Sequence, residues 1–489
     1  MKKVLAFITA TICSITGLYA QQEFSSFTAT GRAGVSTTMT TDYQSIGINP
    51  ANMAFKGRYK EKSIAIGFLE VGSSIHSRAL TRSELAQSTF DFNQSDFDLK
   101  QKLEAAKQFA DNPLAINLDA AVLGFSIQLP KIGAFGFTVR DRFQWYSRFS
   151  TQMSDIVFAG YNSQYFDTLV LSNGNAILNN PNLADSLRNQ VTRGITGNPL
   201  QLGTILDGAR VNFSWVREYN FSYANKVLET DNLQLMAGVG FKYIQGFAGI
   251  DIRGEAGAAT LGYASLSPAF GVSFGDAEKN NPNKLTGGGL QSTGTGFGAD
   301  FGLNLVYKEK LKMGFSVTNL GSMTWKYNLY DLKNSQVIDV TSNGFENYNI
   351  FTQAGEFTGD KGIFNWTAAA SKTVALPTLV RAGASLLIND LAEVGVDVVM
   401  PANQEVGSFE RAIISAGGDL YALPWLRLSS GFTVGGNLEQ RLNMPIGVTF
   451  VLGDQGSYEA GIASRDVLTY FLQDGPTLSV AFGFLRFRL

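Results

Sequence analysis

Alternation with a period of two runs through segments too long for an ordinary soluble sheet. From Val211 the odd positions read Val211, Phe213, Trp215, Arg217, Tyr219, Phe221 and Tyr223, and the even ones Asn212, Ser214, Val216, Glu218, Asn220 and Ser222. Leu233, Leu235, Ala237, Val239, Phe241 and Tyr243 oppose Gln234, Met236, Gly238, Gly240 and Lys242. Phe297, Ala299, Phe301, Leu303 and Leu305 oppose Gly298, Asp300, Gly302 and Asn304. Successive strand side chains point to opposite faces, so each segment offers one apolar and one polar face. The segments run about 10–14 residues, against roughly 5–6 in globular sheets, which suits a tilted strand crossing a bilayer. No period of about 40–50 residues repeats, which argues against a propeller.

Composition supports this reading. Charged residues are 16% of the chain, below the roughly 25% of an average soluble domain, and glycine is frequent at 52 residues. The formal net charge is −2, so no basic surface for nucleic acid is expected. Met1-Lys2-Lys3, an apolar stretch to Leu18 and the small Ala20 read as a signal peptide over 1–20, with cleavage near Ala20-Gln21. Cys13 would leave with it, so no thiolate chemistry is expected in the mature chain, and one histidine excludes a His-rich metal site. No later stretch has the hydropathy of a spanning helix.

The expected fold is therefore all-β, a transmembrane antiparallel barrel in the cell outer membrane. Fifteen candidate strands lie near 63–78, 115–129, 134–149, 209–225, 233–249, 296–308, 310–327, 363–374, 378–389, 391–401, 408–421, 425–436, 444–453, 457–468 and 476–489. Single-chain bacterial barrels have even numbers, so about 14 are expected, with 363–374 and 378–389 the weakest pair. Short turns such as Pro130–Gly133 and Gly453–Ser457 alternate with long connections such as Ser150–Asp207, Asp251–Gly296 and Asn328–Gly362. Phe213, Phe221, Phe241 and Leu303 are expected to face lipid, and Leu169–Leu171 or Ile205-Leu206 to line a pocket near the outer loops. Ser95–Asp98 resembles a capping box, followed by a helix with Leu99, Leu103, Ala106 and Ala110 on one face. The chain ends with Leu485, Phe487 and Leu489 alternating with Arg486 and Arg488. An upstream apolar set in the other phase predicts a bulge near Gly483–Leu485.

Between leader and first strand stand Ala29-Thr30-Gly31-Arg32-Ala33-Gly34-Val35 and Asn49-Pro50-Ala51-Asn52-Met53-Ala54. These resemble the N-terminal segment of the FadL-type outer-membrane transporter family, with Asn52 and Met53 where that family has Gly and Leu. The likeness in sequence covers Ala29–Ala54. The family includes PorV-like barrels that partner a protein secretion machine, and the chain looks most like its uncharacterised branches. The resemblance implies that 21–62 plugs the lumen, with Gly31, Gly34, Asn49, Pro50 and Ala51 as its motif, ahead of a barrel over 63–489. The C-terminal Leu485, Phe487 and Leu489 resemble the signal read by the barrel-assembly machinery, which usually ends in Phe.

Arg140, Arg142 and Arg148 share the polar face of one strand and could hold a carboxylate head group in the lumen. Salt bridges to Asp119, Glu218, Asp300, Glu393 or Asp397 are the plainer expectation. His76 is expected at the rim. No nucleophile elbow or matched acid accompanies it, so no enzyme and no cofactor are expected. Two functions remain open: passive uptake of a hydrophobic ligand, or a non-transporting partner of a secretion component. Contact with outer-membrane lipid is common to both.

Overall fold

The computed structural model describes residues 26–58, 62–81, 84, 96–180, 182–348, 363–409, 411–436, 442–467 and 477–489. The leader, Cys13 and the cleavage position lie outside them. Among the described residues fourteen strands form the barrel: β1 (Ile64–Ser77), β2 (Leu114–Leu129), β3 (Gly133–Arg148), β4 (Arg210–Glu229), β5 (Leu233–Arg253), β6 (Gly294–Tyr307), β7 (Leu311–Trp325), β8 (Leu379–Asn389), β9 (Ala392–Pro401), β10 (Ile413–Leu423), β11 (Leu426–Gly435), β12 (Ile446–Leu452), β13 (Tyr458–Ser464) and β14 (Thr477–Arg488). Each pairs antiparallel with the next, and β14 returns to β1, with Ala65 opposite Arg488 and Ile75 opposite Leu478. Closure removes both edges of the wall sheet. The segment expected at 363–374 is not a wall strand. It gives two short pieces, Asn365–Ala368 on Leu329–Lys333 and Lys372–Ala375 on the upper end of β7.

The outward face is apolar all round. Phe221, Phe241, Phe297, Phe315, Phe432 and Phe450 are exposed, while Asn220, Lys242, Asp300, Ser316, Thr433 and Thr449 are buried. Phe221, Phe241 and Leu303 thus face outward as the alternation predicts. Phe213 is in phase but covered, because the turn at Pro268–Phe270 lays Phe270 5.6 Å from its ring on the outside of the wall.

Near the C-terminus the phase slips. The β13–β14 register shifts between Glu459 and Gly461, and Phe484 and Leu485 both point outward. At the same height Phe68 and Leu69 of β1 are both exposed, with Leu69 at φ 52°, and β2 shifts at Val122. The extra residue in each strand lets Glu70 and Arg486 turn inward below an apolar outer row. Leu489, Leu485 and Phe487 point outward, and Ser63 and Ile64 donate to the Leu489 carbonyl.

The wall is uneven in height. β4 and β5 have 20 and 21 residues, β12 and β13 seven each. On the tall side the long connections fold into a cap. Thr260–Leu266 extends the sheet from β5, and Leu329–Lys333 pairs beyond it. A separate four-stranded sheet joins Gln336–Val340, Val191–Gln201, Thr168–Leu171 and Ala176–Leu178. The helix Leu99–Phe109 carries a capping box between Asp98 and Gln101, three residues on from the expected Ser95–Asp98 box, whose Ser95 lies outside the described residues. Its buried face is Lys102, Ala105, Ala106 and Phe109, one position off the expected Leu99, Leu103, Ala106 and Ala110 stripe. The Lys102 ammonium reaches over to the Asn343 carbonyl at 2.7 Å, so its stem packs while its charge is satisfied.

Candidate functional site

Residues 26–55 bond to strands on every side of the closed wall. Ser26 caps the short helix Phe27–Gly31, with Gly34 following at φ 85° and donating to the Ala29 carbonyl at 2.8 Å. A left-handed residue closes the turn there, which only glycine does without strain. Asn49 then caps Pro50–Ala54, where proline suits the first helical position because its missing N–H has no partner there. The Asn49 amide donates to the carbonyls of Thr37 and Leu303, both at 3.0 Å, and the Asn52 amide to Thr37 at 2.9 Å. Ser316 donates to the Ile48 carbonyl at 2.6 Å. Asn49-Pro50 therefore joins three stretches of chain: its own turn, the Thr37 turn, and strands β6 and β7.

Glycine on the inward face makes the room. A Cβ at Gly67 or Gly124 would overlap the Tyr43 ring, and one at Gly238 or Gly302 would overlap the Asn49–Ala51 turn. Gly31 and Gly447 bring their backbones together, and the Phe27 ring lies against Gly461 and Gly483. Part of the high glycine content serves this contact, because a strand can carry a second backbone on its inner face only where it projects no side chain.

Charge fixes the position. The Ser36 and Thr37 N–H groups donate to one Asp397 oxygen at 2.7 and 2.8 Å. Arg32 pairs with Asp419 at 2.9 Å and also donates to the Val35 carbonyl. Asp42 meets Arg486 at 2.7 Å and Arg488 at 3.4 Å, and both arginines also hold Glu459, which Arg427 approaches at 3.4 Å. The Tyr43 hydroxyl donates to Glu70, whose other oxygen accepts from Gln44 at 2.8 Å. Burial, and next the Glu70 charge, push the Tyr43 phenol well above its ordinary range, so it stays a donor. Buried pairs add little net stability, but removing one partner of such a pair costs about 3–5 kcal/mol.

Farther toward the cap the lumen holds matched pairs. Arg140 lies 3.5 Å from Asp119, Arg142 3.2 Å from Glu218, and Lys242 3.2 Å from Asp300. Arg148 stands apart at the top of β3, donating to the Gly208 carbonyl at 3.1 Å. His76 stands next to last in β1, at the strand end where it was expected, and is buried there.

One stretch of wall is irregular. β7 pairs with β8 up to Thr318 and with Lys372–Ala375 from Ser322, and Leu376-Pro377-Thr378 bridges the change. Pro377 has no N–H to give the ladder. Beside it a cavity of about 60 Å³ is bounded by Ile244, Met323, Trp325 and Leu376 on one side and Arg142 and Glu218 on the other. Leu169 and Leu171 pack with Val191, and Ile205 and Leu206 pack in the large cap core, so these candidates fill apolar cores where a pocket lining was expected.

Sequence reasoning missed the Asp42, Glu70, Glu459 and Arg486 network. Its signal was present as acids in phase with the polar face, and as the doubled apolar pair Phe68-Leu69 that turns Glu70 inward.

A family described as "Family of unknown function (DUF5723)" matches residues 50–444. No curated protein matches. Among solved structures the chain is similar to the Pseudomonas putida toluene transporter TodX, with 11% identity over 97% of this chain and 99% of that one and a TM-score of 0.43. The Ralstonia pickettii toluene transporter TbuX shares 12% identity over 95% and 98%, with a TM-score of 0.43. A Pseudomonas aeruginosa FadL homologue shares 11% over 96% and 97%, with a TM-score of 0.42.

Proposed function

We propose that this chain, which belongs to the DUF5723 family of unknown function, is an outer-membrane channel for hydrophobic small molecules, closed at rest by its own N-terminal segment. The observation that carries the reading is the seat: inward glycines on strand after strand, matched to a segment that none of those strands supplies. A fourteen-strand barrel is too wide for its own side chains to fill. A purely structural barrel has no use for an inner face cleared of side chains at this level and then occupied by one separable piece of chain. The segment acts as the plug, and Gly31, Gly34, Asn49, Pro50 and Ala51 shape it.

The apolar cargo is supported by the pocket of Ile244, Met323, Trp325 and Leu376 at the irregular stretch of wall, where a small apolar solute would pass between lumen and bilayer. Arg140 and Arg142 already stand beside carboxylates, so an anionic head group would have to displace Asp119 or Glu218. Outer-membrane lipid would coat the Phe221 and Phe241 face, and Leu485, Phe487 and Leu489 would present the assembly signal to the barrel-assembly machinery.

The alternative, a PorV-like partner of a secretion component, is favoured by one observation. The cap is a packed apolar module with its own sheet, more substantial than closing a pore requires. Uptake of a long-chain acyl probe into proteoliposomes decides. The channel reading expects uptake above empty liposomes. No uptake, together with co-purification of a large secretion component, would establish the partner reading.

A further inference from the structure

At the short-turn end a second cavity, of about 650 Å³, opens between the N-terminal segment and the strand ends. That volume is typical of small-molecule sites. Its charge is unlike that of the chain, whose formal net charge is −2. Arg32 is matched by Asp419 and Lys312 by Glu393. Deeper in, three arginines, Arg427, Arg486 and Arg488, share the two carboxylates of Asp42 and Glu459. At the mouth Lys56, Arg58 and Lys131 form no ion pair with a described residue, although Glu309 and Asp390 also line the cavity.

Arg58 and Lys56 are tethered by side-chain contacts. The Arg58 guanidinium lies 3.8 Å above the Tyr421 ring and donates to the Asp390 carbonyl at 2.7 Å. Lys56 reaches the Ser63 hydroxyl at 3.4 Å. Lys131 stands in a tight turn at φ 65°. A stacked guanidinium keeps donors free at its edge and loses little entropy on pairing. Among the polar residues the lining includes the apolar side chains of Met39, Phe55 and Leu129.

We propose that this vestibule binds a small amphiphilic anion, a carboxylate or phosphate joined to an apolar body. Lys56, Arg58 and Lys131 take the charge, and Phe55 and Met39 take the body. The site does not depend on passage of solute through the wall.

Phenyl phosphate titrated into the full chain in neutral detergent tests it, with inorganic phosphate and phenol as the two fragments. Phenyl phosphate should saturate, bind more tightly than either fragment, and weaken as salt rises. Changing Lys56→Ser and Arg58→Ser together should weaken it about tenfold or more, since hydrogen bonds to charged groups are lost. Lys279→Ser on the cap should leave it unchanged. Absence of saturable binding, or equal binding by the double variant, overturns the proposal. Should the double variant lose its heat-shifted gel band, Lys131→Glu decides alone: at least a fivefold loss is expected, and unchanged affinity overturns the site. Binding is read without transport, so failure here leaves the channel reading standing.

Discussion

The two fillings of this barrel are held by opposite means. At the wide upper end the cap buries one large apolar cluster, including Phe109, Phe158, Phe166, Ile205, Tyr330 and Trp366. Inside the wall the N-terminal segment has only small apolar clusters around Tyr43, Phe27 and Ala51, and is fixed by backbone contacts, amides and carboxylates. Apolar burial scales with area and is lost only by unfolding. Hydrogen bonds and ion pairs can be exchanged for water at small net cost when both partners become wet. The cap is therefore held by apolar burial, whereas the segment is held by polar contacts that involve little apolar surface.

Removing residues 21–62 should break that comparison most sharply. The described residues among them supply no wall strand, so the barrel should still insert and show a heat-dependent gel shift. Permeability to small polar solutes in a liposome-swelling assay should rise from near background to that of an open pore. The cap should keep its protease resistance, because the two regions share no hydrophobic cluster. Unchanged permeability would mean that the segment does not block the lumen.

Phe158→Ala is the converse. Phe158 is fully buried and meets Phe109 at 5.0 Å and Phe345 at 5.5 Å. The loss should be about 3–5 kcal/mol in denaturant unfolding, seen first as protease sensitivity of the cap while permeability stays low. A rise in permeability would show that cap and segment are coupled.

On the outer wall Leu303→Arg should cost about 2–4 kcal/mol by lipid burial of the charge. Phe213→Arg should instead act through the cap, since Phe213 touches Phe143, Trp145 and Phe270. Folding titrations in lipid of two thicknesses separate them, because only the first should respond to thickness.

What the sequence displayed and what it hid divide along the same line. Alternation is local, so the wall strands and their faces were legible, down to the bulge where Phe484 and Leu485 fall out of phase. The extra segment at 363–374 misled because its alternation is real; one half pairs with a cap strand and the other with the upper end of β7, which no local pattern reveals. The cap core joins helix Leu99–Phe109 to residues more than 200 positions away, and such contacts leave no periodic trace. The seat was half legible: Asn49-Pro50 announces a turn, but only the closed barrel shows that Gly302 and Gly314 face it. Phe213 failed for the same reason, since Phe270, which covers it, is far away in sequence.

Tyr43→Phe is the smallest change and the finest test of how the segment is held. It keeps the ring against Gly67 and Gly124 and removes only the hydroxyl that donates to Glu70. Gln44 still donates to Glu70 at 2.8 Å, and Arg486 remains nearby, so the carboxylate stays served. The expected cost is about 1 kcal/mol, the net worth of one hydrogen bond, read as easier proteolysis of the segment in mild denaturant. The pH dependence has a definite sign. The phenol is held above its ordinary value in the folded state, so that state binds the proton more tightly than the unfolded one. Its contribution is constant below about pH 9 and declines as pH rises past the ordinary tyrosine value of about 10. The Phe variant lacks this alkaline decline, so the two proteins should converge in segment stability as the solution becomes strongly basic. Parallel curves at every pH would assign the alkaline weakening to other groups and leave Tyr43 as a packing residue alone.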